Sequence, residues 1–126
     1  MRKRSALCSA VFFVCVTAAL ASAQDPVKVD PAHYKVESEN AQVRILRVHY
    51  GPHEKSVLHS HPASVAVYLT DGKMKFTDAE GKTQDAAGKT GQTLYSGPQV
   101  HNPENVGDTP FEAIVIELKG GAEPAK

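Results

Sequence analysis

His59-Ser60-His61-Pro62-Ala63-Ser64-Val65-Ala66-Val67-Tyr68-Leu69-Thr70-Asp71-Gly72 is the stretch on which the fold turns. After Pro62, the odd positions Val65, Val67 and Leu69 alternate with Ala66, Tyr68 and Thr70. A period of two marks a β-strand, whose successive side chains point to opposite faces. The same rule covers His59 and His61, which project from one face with Cα atoms roughly 6.5–7 Å apart. Asp71-Gly72 closes the stretch and reads as a tight hairpin turn into the next strand.

Working outward, strands are also expected at residues 42–50, 56–61, 73–77 and 111–119, with residues 64–70 completing the set. Glu80-Gly81, Ala87-Gly88 and Thr90-Gly91 punctuate the chain between them. Many short strands separated by turn signals predict an all-β sandwich or barrel, and closing the sheet protects its edges. Residues 40–119 form the expected domain. Residues 24–39 hold an N-terminal tail and a first strand; 24–31, polar and with two prolines, reads as loose, and so does 120–126.

The N-terminus reads differently. Arg2, Lys3 and Arg4 precede an almost unbroken apolar run over residues 6–20, and Ala21-Ser22-Ala23 follows. That order marks a secretory signal peptide, residues 1–23, with cleavage after Ala23. The run is short of the roughly 20 residues of a spanning helix, and Phe12-Phe13-Val14 before Cys15 lacks the small residues of a lipidation site. Removing 23 of 126 residues leaves 103, enough for one domain. Cys8 and Cys15 leave with the signal, so a periplasmic or extracellular product has no disulfide and no thiolate ligand. Of 14 basic residues three are lost, so 11 face 14 acidic ones and the net charge is about −3. Such a surface offers no footing to nucleic acid or, after cleavage, to an anionic membrane.

Two motifs then stand out. Gly51 to Gly72 frames His59-Ser60-His61, and Gly91 onward carries Gly97-Pro98-Gln99-Val100-His101-Asn102-Pro103-Glu104-Asn105. H-x-H followed by H-x-x-x-N, over most of residues 40–119, resembles the cupin superfamily, in particular its small secreted RmlC-like members. The resemblance implies a double-stranded β-helix, or jelly-roll β-barrel, in which His59, His61 and His101 hold one divalent transition metal (Zn, Cu, Fe, Mn or Ni). It also implies a small-molecule ligand or substrate. Homodimerisation is compatible with it, although no feature of the sequence demands a partner. The spacing departs from the family at three points: Gly51 to His59 is two residues longer, the second motif is one residue shorter, and Val65 stands where the family places a glutamate ligand.

If the strand continues without a bulge from His59, Val65 faces the ion, and the pocket is shaped by Val65, Tyr95 and Asn105. Three neutral imidazoles with an open position suit a Lewis-acid or oxygen-activating role, for which the resemblance implies a dioxygenase-type enzyme; loss of the carboxylate equally suits a non-catalytic sensor or carrier. Glu54, Glu104 and Glu112 are alternative carboxylates. If the ion is acquired after export, the Irving–Williams order favours zinc or copper over iron and manganese. Asn105 is expected to fix a turn. Tyr50 and Tyr68 are candidates to orient a ligand, His49 and His53 to face solvent, and Arg44 and Arg47 to decorate the outer face of their strand. His33 carries no assignment. No nucleophile elbow or phosphate-binding glycine loop is present in the sequence.

Overall fold

Alternation in Val43–Tyr50 organises the molecule: Leu46, Val48 and Tyr50 are buried while His49 is exposed. In the computed structural model, which describes residues 24–120, this segment is β2 and its inward positions lead rows of side chains across a sheet. The elements are α1 (Pro26–Val29), β1 (Tyr34–Glu39), β2 (Val43–Tyr50), β3 (His59–His61), β4 (Ser64–Tyr68), β5 (Gly72–Thr77), β6 (Thr83–Gly88), β7 (Thr93–Ser96), β8 (Gln99–Asn105) and β9 (Phe111–Leu118). A five-stranded sheet has the order β1-β2-β9-β4-β7, and a four-stranded sheet has the order β3-β8-β5-β6. The strand pairs are antiparallel throughout both sheets.

Register defines what the larger sheet presents inward. Leu46 lies opposite Val115, Val115 opposite Ala66, and Ala66 opposite Leu94. One row further, Val48, Ala113 and Tyr68 align. From the facing sheet come Met74 and Phe76, with Asn105 and Pro103 beside them on β8. Each side chain removed from water this way contributes about 1.5–3 kcal/mol if aliphatic or aromatic. The buried core is Tyr34, Leu46, Val48, Tyr50, Tyr68, Met74, Phe111 and Ala113.

Two expectations change. Asp71-Gly72 is not a hairpin turn, because β4 belongs to the five-stranded sheet and β5 to the other. The hairpin lies one element later, between β5 and β6, where Gly81 has φ +85° and the Asp78 carboxylate caps the turn at Glu80 and Lys82. Residues 24–31 are not a loose tail either. Asp25 caps α1 by accepting from the Val27 backbone at 2.9 Å, Pro26 is buried, and Gln24 bridges to His59. A single helical turn is too short to show a period, which is why the sequence pattern does not reveal it. β8 also runs through Pro103 in the middle of a sheet, where proline ordinarily argues against a strand. The expected signal peptide, 1–23, and all but Gly120 of the expected C-terminal tail lie outside the described residues.

Two glycines are required by space rather than by φ. Gly72 and Gly88 face each other across β5 and β6; a Cβ on Gly72 would enter the ring of Phe111, and one on Gly88 the ring of Tyr68. Those rings pack edge to face, with centroids 5.2 Å apart. Gly88→Ala is therefore expected to overpack the core and cost about 1–3 kcal/mol, measured as a lower urea midpoint. Gly97→Ala, where a Cβ meets nothing within 4 Å, leaves the midpoint unchanged.

Candidate metal centre

β3 is three residues long, and its alternation puts His59 and His61 on the same inward face. β8 runs antiparallel beside it and sets His101 directly opposite His59. The three imidazole centroids lie 4.9, 5.0 and 5.2 Å apart, with ring planes steeply inclined at 82°, 87° and 77°. One ligand atom from each ring falls within 4.8 Å of the other two. Phe76 stacks on His101 at 5.4 Å and holds that ring from the side.

Hydrogen bonds decide which nitrogen of each ring points forward. His59 Nδ1 donates to the Val57 carbonyl at 2.8 Å, and His61 Nδ1 donates to the Glu117 carboxylate at 2.7 Å. Both acceptors are oxygens without a proton to give, so both hydrogens sit on Nδ1 and both Nε2 atoms carry bare lone pairs. Those Nε2 atoms are 3.1 Å apart. Between neutral rings the contact is a meeting of two lone pairs, which a cation relieves. His101 Nε2 is likewise buried and has no hydrogen-bond partner.

Burial resists protonation of His59 and His101. Burial, reinforced by His61, lowers His59 to about 4; burial, reinforced by His61 and His59, lowers His101 to about 3. Burial alone raises the Glu117 carboxyl, but hydrogen bonds from His61 and Arg44 outweigh it and keep the group ionised below its ordinary range. The donor set is three imidazoles in front and a carboxylate behind one of them, which fits a divalent transition metal.

Val65 does not face the histidines. The chain passes from one sheet to the other between His61 and Ser64, and the count of two breaks at Pro62-Ala63. Ser64 takes the inward position and Val65 turns outward, paired with Tyr95 and Ile116. Tyr95 is correspondingly 58% exposed and is not part of the pocket. Asn105 is fully buried but outside the cavity wall: it donates to the carbonyls of Gly51 and Thr109 and accepts from Gly107, the turn-fixing role read from the sequence. The alternative carboxylates are engaged or turned away. Glu54 binds His33 and the Gly51 backbone, Glu104 pairs with Lys75, and Glu112 lies opposite exposed His49 on the outer face.

Sequence reasoning leaves out Glu117, Asp25 and Tyr34 and places Arg44 on the outer face, which the structure corrects. Arg44 and Arg47 are three positions apart on one strand, so they cannot both face outward. Arg44 shares parity with Leu46, Val48 and Tyr50, points inward, and donates from Nε to Glu117 at 2.6 Å; Arg47 stays outside and pairs with Glu37. Tyr34 packs its ring 4.9 Å from that of His59 and bonds the Tyr50 hydroxyl at 2.7 Å. His33 is placed as well, stacked on Tyr50 at 4.4 Å between Asp30 and Glu54. His49 and His53 face solvent, the latter beside Asp108.

A cavity of about 440 Å³ opens from His61 and His101 between the sheets. Its wall is largely apolar, with Tyr68, Met74, Phe76 and Phe111, and Lys82 and Gln84 stand exposed at its polar edge. That size and lining suit a small molecule held mainly by apolar contact.

Known proteins share this fold. A cupin domain from Bordetella pertussis is 25% identical with a TM-score of 0.65, covering 69% of this chain and 92% of that one. A conserved Klebsiella pneumoniae protein with a double-stranded β-helix domain is 22% identical with a TM-score of 0.56, covering 71% and 78%. Fe(II)-HppE, crystallised with an alternative substrate, is 16% identical with a TM-score of 0.53, covering 67% of this chain and 48% of its own. No curated protein is significantly similar to the chain. The cupin-domain family profile matches residues 46–117, more than half of the sequence, and the chain belongs to the cupin family.

Proposed function

We propose that this cupin binds one divalent transition-metal ion through His59, His61 and His101 and oxidises a small, largely apolar molecule in the adjoining cavity, in the manner of a dioxygenase. The observation that carries the metal is the 3.1 Å approach of two Nε2 lone pairs whose Nδ1 hydrogens are already committed. When bound, a redox-active ion supplies Lewis acidity and oxygen activation. Iron(II) in HppE, which shares the fold, supports keeping iron beside zinc, copper, manganese and nickel as candidates.

The protein's own residues have distinct tasks. His61 and His101 border the cavity, whereas His59 is completely buried behind them, so a ligand approaches from the His61 and His101 side. Tyr68, Met74 and Phe111 exclude water from the cavity floor, which strengthens any electrostatic contact made there. Glu117 keeps the His61 proton on Nδ1 and its Nε2 free to donate a lone pair.

Elemental analysis of the purified protein is expected to find about one transition-metal ion per chain, the stoichiometry of a single three-histidine site, and the His59→Ala/His61→Ala variant to hold almost none. Absence of a metal after reconstitution overturns the reading. With metal present, oxygen uptake on candidate thiols and diketones identifies the enzyme, and a metal-loaded protein inert to all of them points instead to a sensor or carrier. Because Val65 faces outward, Val65→Glu changes metal affinity by no more than about twofold, in contrast to what a residue beside the ion would do.

The metal-free protein has a defined pH response. Unfolded imidazoles take up protons near pH ~6.5, whereas folded His59 and His101 stay neutral down to about 4 and about 3. Their stabilisation is complete above roughly pH 6.5 and is lost as the pH falls through that window. Urea midpoints of chelator-treated protein are expected to drop accordingly, and His101→Phe to flatten the drop; a flat wild-type profile contradicts the burial of neutral histidines.

We also propose export, on the strength of residues 1–23 alone. Intact mass of the protein recovered from its native host is expected to match a chain starting at Gln24, and a chain retaining Met1 overturns this.

A further inference from the structure

We infer that the N-terminal arm, residues 24–33, is a brace for the metal site, with Asp25, Arg44 and Ser56 as positioning residues for His61 and His59. The inference rests on the reading of these histidines as metal ligands. It is carried by two separate chains of contacts that begin on the arm and end on the Nδ1 atoms of the two β3 histidines.

The first chain starts at Asp25. Its carboxylate accepts from Arg44 Nη1 at 2.6 Å and from Nη2 at 3.2 Å, while also capping α1. Arg44 Nε donates to Glu117 Oε2 at 2.6 Å, and the other Glu117 oxygen receives His61 Nδ1–H at 2.7 Å. Glu117 is 2% exposed, so its charge needs a fixed counter-charge, and the planar guanidinium supplies it in one orientation. Arg44 thereby aims Glu117, and Asp25 aims Arg44.

The second chain starts at Asp30, five residues on. His33 Nδ1 lies 2.8 Å from each Asp30 oxygen, and Ser56 Oγ donates to the same carboxylate. With its hydrogen committed to Asp30, the Ser56 oxygen turns a lone pair toward His59 Nδ1 at 3.4 Å, supplementing the Val57 carbonyl. Between the two chains the arm is also tied by its backbone: the Gln24 carbonyl accepts from Ser60 N–H at 3.0 Å, between the two histidines. The arm therefore holds β3 by its main chain and both of its imidazoles from behind. Outer partners of metal-binding histidines are typically worth about 10–100-fold in metal affinity.

The test uses the full purified chain, with cobalt(II) as the probe metal and long-range ¹H–¹⁵N spectra of the imidazoles in the metal-free protein. Arg44→Met is expected to free Glu117 from its fixed orientation, moving the His61 signals while the His101 signals stay in place, and to weaken cobalt binding about 10–100-fold. Asp25→Asn keeps the helix cap, because asparagine caps as well as aspartate, and is expected to produce a smaller change of the same kind. Arg44→Lys recovers part of the loss, and Ser56→Ala moves the His59 signals rather than those of His61. If Arg44→Met does not fold, Asp25→Asn and Ser56→Ala decide. Unchanged His61 signals and unchanged cobalt affinity in a folded Arg44 or Asp25 variant overturn the brace, and so does an equal shift of all three histidines. Should the wild type bind no cobalt, the metal reading fails, while the imidazole spectra still decide the brace.

Discussion

Everything at the centre of this molecule depends on holding three imidazoles together with their ligand atoms turned toward one another. Protonation of His59 and His101 is resisted by burial and by the neighbouring rings. The arrangement persists because each β3 histidine is bound on its far side, His59 by a carbonyl and His61 by a carboxylate. The Glu117 charge would cost several kcal/mol if left unpaired at that depth. The Arg44 guanidinium answers it, and Asp25 answers Arg44, so charge is compensated stepwise from the buried site outward.

The far side of the cavity is governed by shape. Gly72 and Gly88 lie opposite each other so that Tyr68 and Phe111 can reach into the space between the sheets. Those rings join the apolar wall facing the His61 and His101 end. Polar donors at one end and a tightly packed aromatic pair at the other give the cavity its direction. A ligand meeting it places its polar end by the histidines and its apolar bulk against the rings.

Much of this was legible along the chain. The alternation in 64–70 and 42–50 is a local property of the backbone, so the strands β4 and β2 stand close to where the pattern puts them. H-x-H on a strand converges for the same reason. Val65 departs from its expected inward position because the chain changes sheets at Pro62-Ala63, where the phase of two is reset. Asp71-Gly72 joins strands of different sheets, and strands joined by a turn need not pair. Parity alone places Arg44 inside, opposite to Arg47.

By itself the sequence determined the β architecture, the two histidine motifs and the turn-fixing role of Asn105, because these depend on side-chain alternation and on short spacings. Only the tertiary structure decided what stands around the histidines. Glu117 is 56 positions from His61, and Arg44 is 73 from Glu117. Such pairs are set by strand order and register, which place β9 between β2 and β4 and fold the N-terminal arm behind β3. No local pattern encodes that order, and the chemistry of the site follows from it.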